Sequence, residues 1–140
     1  MAVEMELARI LIRETDDPQV LELREKGGAR VFPIVIGLVE AAAIERRLMG
    51  DVPPRPQTHE LLASVLQGLE VKLEKVVISE LRHDPYGNGT FFARLYLRKA
   101  DGEVIDIDSR PSDAIALGVG EEAPIFVEED VLDEVCRPEE

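Results

Sequence analysis

At 140 residues, 45% of them hydrophobic, the chain is long enough for one domain with its own core. Its net charge of −13 argues against holding nucleic acid or an anionic membrane by overall field, because both need Lys and Arg. A single cysteine, Cys136, excludes an internal disulfide framework and a cysteine-rich zinc site.

Residues Met5 to Arg13 read as a first strand, ended by the turn residues Asp16, Asp17 and Pro18. This opening stretch carries Glu4, Glu6 and Arg9, so it does not read as a signal peptide. No apolar run approaches the roughly 18–20 residues of a membrane span, and a cytoplasmic protein without membrane contact is expected. Gln19 to Glu25 alternates as a second strand, Lys26-Gly27-Gly28 turns, and Arg30 to Ile36 forms a third. Pro33 lies inside that third strand and lacks a ladder donor, which puts the strand at an edge, or bulges or bends it.

A helix is expected over Leu38 to Met49, with Leu38, Ala41 and Leu48 on one stripe and Ile44 at its border. The proline-rich connector Gly50 to Gln57 leads to a second helix. Thr58 can cap it, His59 and Glu60 occupy its first turn, and Leu61, Leu62, Val65, Leu66 and Leu69 give it a broad apolar face. Val71 to His83 and Thr90 to Lys99 pair as a hairpin around the turn Asp84 to Gly89. Phe91, Phe92 and Tyr96 are assigned to the core, so no aromatic platform for single strands is expected. Asp101-Gly102 gives a two-residue hairpin signal and delivers the strand Glu103 to Asp108.

That strand runs straight into a helix starting at Pro111. Alternation puts Ile105 and Ile107 on one face and Asp106 and Asp108 on the other. Ser109 or Ser112 can cap the helix, and Asp113 in its first turn complements the helix dipole. A short strand, Pro124 to Val127, and a last helix, Glu128 to Val135, complete the reading. The order strand, Gly turn, strand, helix occurs twice, at Gln19–Met49 and Thr90–Val119, a weak internal echo. Charge is uneven: Arg24 to Arg55 carries six basic and four acidic residues, Glu121 to Glu140 one basic and nine acidic. The first region is the candidate for meeting phosphate, and the second reads as a solvated or partner-facing surface. The expected architecture is one α+β domain over 1–136, with a mixed, mostly antiparallel sheet and three to four helices packed on it, and an acidic tail over 137–140.

Three blocks carry a family resemblance: RVFPIVIGLVEAAAI (Arg30–Ile44), RPQTHELL (Arg55–Leu62), and IDSRPSDAIAL (Ile107–Leu117) followed by PIFVEEDVLDE (Pro124–Glu134). In this order they resemble the bifunctional nuclease domain family, across roughly Met5 to Val135. The resemblance implies a small, often oligomeric α+β domain, here expected as a homodimer, associated with cleavage of DNA and RNA. The turn His83–Asn88 and the very acidic C-terminus depart from the family pattern without touching the three blocks.

The candidate site residues sit at helix starts inside these blocks. Asp106, Asp108 and Asp113, with Glu40 as a fourth carboxylate, can hold Mg²⁺ or Mn²⁺, since hard cations take oxygen ligands and a bound metal activates water. The structural alternative makes Asp106 and Asp108 the wet face of a strand, and Glu40 and Asp113 dipole complements. His59 is a candidate general base, or a surface histidine on a helix flank. Arg55 and Arg110 can bind phosphate bidentately or pair with neighbouring carboxylates, with Ser109 beside Arg110 in the substrate-binding set. No G-x-S-x-G elbow surrounds Ser109 or Ser112, and no P-loop, G-x-G-x-x-G or H-E-x-x-H occurs. The resulting expectation is a metal-assisted nuclease acting on DNA and RNA. The competing readings are a non-enzymatic oligomeric ligand-binding or regulatory module, which the −13 charge favours, and a small-molecule hydrolase.

Overall fold

A computed structural model describes residues 1–13 and 18–136. The turn residues Asp16 and Asp17 and the tail 137–140 lie outside the described residues. Seven strands form one sheet, with β1 (Ala2–Leu11), β2 (Gln19–Glu25), β3 (Val31–Ile36), β4 (Lys72–His83), β5 (Gly89–Arg98), β6 (Val104–Ser109) and β7 (Ile125–Glu128) in the spatial order β3-β2-β1-β7-β4-β5-β6. Every neighbouring pair is antiparallel except β4 and β7. The fold is a single α+β domain, as the alternation of strand and helix patterns predicts. Pro33 sits in β3 at a sheet edge, where only β2 needs pairing and a missing donor is tolerated.

The helices are α1 (Leu38–Leu48), α2 (Thr58–Gly68), α3 (Pro111–Gly120) and α4 (Glu129–Val135). None is long and apolar enough to cross a membrane among the described residues. In α3, seven of ten residues are buried, including Ala114, Ile115, Ala116 and Leu117. Small side chains let it approach the sheet closely: a Cβ at Gly118 would stand 3.5 Å from a Val76 methyl. The core joins α3 to α1 through Ala41 and Ile44, and to the strands through Leu21, Leu23, Phe32, Ile78 and Val127.

Four local expectations are corrected. The α1 stripe is shorter than its periodicity suggests, because Leu38 and Leu48 are exposed and Ala43 is buried instead. Gln57, not Thr58, caps α2: its side chain accepts from the backbone N–H of Glu60, whose carboxylate accepts from the backbone N–H of Gln57. Neither Ser109 nor Ser112 caps α3; Arg110 occupies the N-cap position and Ser109 Oγ donates to the Arg110 carbonyl at 2.8 Å. The β5–β6 hairpin closes on three residues, not two: Lys99 N–H donates to Glu103 O, and Gly102, at φ +90°, donates back to Lys99 O.

Candidate active site at three helix starts

The first turns of α1, α2 and α3 converge on one place. Glu40 is the third residue of α1, His59 the second of α2 and Asp113 the third of α3. Each helix start presents unsatisfied N–H groups and the positive end of a dipole, so the junction attracts anions. The Glu40 carboxylate folds back to where a Cβ on Gly37 would stand, so glycine at the α1 N-cap makes room for it.

Asp113 is the hub. Its Oδ1 accepts from His59 Nε2 at 2.9 Å and from Arg110 Nη2 at 3.2 Å, and its Oδ2 accepts from Arg110 Nε at 2.9 Å. Arg110 Nη1 reaches Glu40 Oε1 at 3.2 Å. Burial pushes the Asp113 carboxyl up, but hydrogen bonds from Arg110 and His59 outweigh it and hold it below its ordinary value. Asp113 is therefore a carboxylate at neutral pH, and as an acceptor it requires a proton on His59 Nε2. His59 is buried, yet Nδ1 has no partner among the described residues, and no buried side-chain nitrogen or oxygen is left unsatisfied among them. Nδ1 therefore retains some access to solvent. The Arg110 side chain is 63% exposed, so part of its donor fork is open.

Two hollows flank this group. A cavity of about 520 Å³ on one side is lined by His59, Leu62, Leu95, Ile107, Arg110 and Asp113 among others. A cavity of about 430 Å³ on the other is lined by Ile36, Gly37, Glu40, Phe91, Arg110 and Ser112 among others. Both are in the range of small-molecule sites, and Arg110 borders each.

The structure thus brings together His59, Asp113, Arg110 and Glu40. Asp108 and Ser109 border the larger hollow with His59, Arg110 and Asp113, whereas Asp106 lines neither hollow. Ile105 and Ile107 pair beside Leu97 and Leu95 on the helix side of the sheet, where both remain exposed, and alternation turns the Asp106 and Asp108 carboxylates toward the opposite face. There Arg94 holds Asp106 at 2.9 Å and approaches Asp108 at 3.9 Å. Arg55 is exposed in the connector, with no ion pair among the described residues, and Ser109 spends its hydroxyl on the backbone. The proposed donor set for Mg²⁺ or Mn²⁺ is therefore split between two faces. Its remaining members, Asp113 and Glu40, are both bound to a guanidinium. No group of three or more His, Cys, Asp or Glu among the described residues suits a metal ion, so this donor set does not fit a divalent cation.

Sequence reasoning missed the support behind His59. Glu60, next to it, takes Arg46 at 3.3 Å and Arg47 at 3.6 Å. Arg47, whose side chain is 8% exposed, also donates from Nε to the Ala116 carbonyl at 2.7 Å, clamping α1 to α3. The Gln57-x-x-Glu60 spacing was a readable capping box, but its second use as an ion-pair partner was not.

The sequence matches a family model described as the bifunctional nuclease domain over residues 21–140. An uncharacterized protein of Mycobacterium tuberculosis is 38% identical over 129 residues, covering 92% of this chain and 73% of that protein. Bifunctional nuclease 1 of Oryza sativa subsp. japonica and bifunctional nuclease of Oryza minuta are each 28% identical over 126 residues, covering 80% of this chain and 37% of the plant protein.

Proposed function

The chain belongs to the bifunctional nuclease domain family, and from that premise we propose that it is a cytoplasmic hydrolase of phosphodiester bonds in DNA and RNA, worked by His59, Asp113 and Arg110. The observation that carries this reading is the hydrogen bond from His59 Nε2 to Asp113, the same carboxylate oxygen that Arg110 holds. In this mechanism Nδ1 takes a proton from a water molecule as its oxygen attacks phosphorus. The Asp113 carboxylate stabilises the imidazolium that forms. Arg110 and the start of α3 offset the charge growing on the phosphoryl oxygens. The bond to the leaving oxygen breaks, and that oxygen takes a proton from solvent. Water is the nucleophile, so the 2′-hydroxyl that separates RNA from DNA is not needed. No step is routed through a metal.

A second reading has its own support. Arg110 faces two carboxylates, Glu40 and Asp113, so the junction carries excess negative charge before any phosphate arrives. That favours a binding or regulatory module for a neutral or cationic ligand. The deciding experiment is a cleavage assay of purified protein on single-stranded DNA, duplex DNA and RNA, with Mg²⁺, with Mn²⁺ and with chelator. Under the hydrolase reading, His59→Ala and Asp113→Ala fold normally and lose about 10²- to 10⁴-fold in rate. Cleavage that survives in both variants, or none by the native protein, shifts the assignment to the module. Loss of cleavage with chelator alone would refute the metal-free mechanism.

We also propose a homodimer formed through α2. Leu61, Val65 and Leu69 are 55%, 46% and 67% exposed, side by side with Leu62 on one helical arc. The only charge on α2, Glu60, is already paired. Two copies that each carry −13 repel least across such an uncharged face. Sedimentation of Val65→Glu should give a monomer where the native chain gives a dimer.

A further inference from the structure

The sheet face turned away from α1, α2 and α3 carries a pattern that the site at the helix starts does not use. On β5, Phe92, Arg94, Tyr96 and Arg98 alternate with the buried Ala93, Leu95 and Leu97. The pairing register sets Lys75 beside Tyr96, Phe126 beside Val77, and Lys72 beside Arg98 on the same face. Phe92 and Tyr96, assigned above to the core, are only half-buried here, as is Phe126. Each ring has a cation at its face: Arg82 lies 4.2 Å from the Phe92 centroid, and Lys75 lies 4.9 Å from Tyr96 and 5.5 Å from Phe126.

Cations gather on this face without giving it a net positive charge: Lys72, Lys75, Arg82, Arg94 and Arg98 stand among Glu74, Glu80, Asp106 and Asp108, with Glu4 and Glu128 beside Phe126. The arginines are tied to those carboxylates on open surface: Arg82 to Glu80, Arg94 to Asp106, Arg98 to Glu74. Exposed ion pairs of this kind are worth about 0–1 kcal/mol each, so a phosphate can replace a carboxylate with little loss. Lys75 has no ion pair within 4 Å among the described residues.

We infer that this face is a track for single-stranded nucleic acid, with bases stacked on Phe92, Tyr96 and Phe126 and phosphates met by Lys75, Arg94 and Arg98. The inference rests on the hydrolase reading for its choice of polymer. Rings on an open sheet between mobile cations stack with any unpaired base, whereas a duplex keeps its bases out of reach. Phe92 and Tyr96 are four residues apart on one strand, about 13 Å, so they serve separate bases. The track also leads to the site. β6 carries Asp106 and Asp108 on this face, then passes through Ser109 to Arg110 at the start of α3, so a strand crossing β5 and β6 rounds the sheet edge toward His59.

The test separates binding from cleavage. Fluorescence polarisation would follow labelled 12-nucleotide dT and U strands and a 12-base-pair duplex, and turnover would be measured on the same strands and on a dinucleotide too short to span the face. For the Phe92→Ala/Tyr96→Ala double variant, strand binding should weaken about tenfold or more while dinucleotide turnover stays native. The Phe92→Tyr/Tyr96→Phe variant, which keeps both rings, should bind as the native chain does, so a general folding defect would not imitate the result. His59→Ala should bind strands normally and cleave neither. Strand binding unchanged in the alanine variant, duplex bound as tightly as single strands, or no binding to the native chain would overturn the track. Ring-dependent binding without any cleavage by the native chain would uphold the track and defeat the hydrolase reading instead.

Discussion

Helices α2 and α3 are nearly the same length and both are rich in aliphatic residues, yet they end in opposite environments. In α3 seven of ten residues are buried; in α2 the one buried residue is a histidine. Aliphatic content therefore does not decide which helix forms the centre. α3 alternates large side chains with Ala and Gly, which lets it settle between α1 and the sheet at close range. α2 carries four larger aliphatics on one arc, and it is held at its first turn by polar contacts from His59 and Glu60. One helix is a packing element, and the other delivers a functional side chain and keeps an apolar face free.

The contrast can be broken most severely at α3. Leu117, fully buried, should cost about 2–5 kcal/mol on replacement by alanine, read as a lower urea midpoint. Next comes the clamp between the two helices and α1. Arg47→Ala removes a charge-assisted hydrogen bond to Ala116 and a partner of Glu60, and about 1.5–3 kcal/mol should go with it. Cleavage should fall too, if Glu60 keeps α2 in register with Asp113.

A smaller effect depends on pH. The Asp113 carboxyl is held below its ordinary value in the folded chain, so it contributes stability that is fully present above the unfolded value, about 3.9, and is lost as pH falls through the folded one. Asp113→Asn should melt below the native chain at neutral pH, and the gap should close as the solution is made strongly acidic. Because a third of this side chain is exposed, the gap should be smaller than that for Arg47. The smallest effect is expected at Leu61→Ala, within about 0.5 kcal/mol of native at low protein concentration. A large loss there would show that the α2 arc is packed in the molecule in solution.

Much of this was legible in the chain. Each strand and helix lies within a few residues of its patterned stretch, and Pro33 marked an edge strand. His59, Asp113, Arg110 and Glu40 were legible individually because first-turn polar residues stand out against aliphatic helices. Their meeting was not, since it depends on how three helix starts converge, which no local period encodes. What sets Asp106 apart from Asp113 is a rule already visible in the sequence: alternation sends its side chain to the face opposite Ile105 and Ile107, while Asp108, next to the start of α3, still borders the hollow beside Asp113. The broad apolar face of α2 was legible, but its exposure was not, because an amphipathic pattern says which face is apolar, not what covers it.

The parallel pairing of β7 with β4 has a consequence for biosynthesis. β7 lies between β1 and β4, so residues 125–128 join a sheet of the first three strands to a sheet of the next three. As the ribosome extends the chain from its N-terminus, both half-sheets can form early, each with an unpaired edge, β1 in one and β4 in the other. They cannot be stitched into one until the last strand emerges. Until β7 is made, both edges stay open to wrong partners, and the union of the two half-sheets waits on four residues that follow the other six strands in the chain.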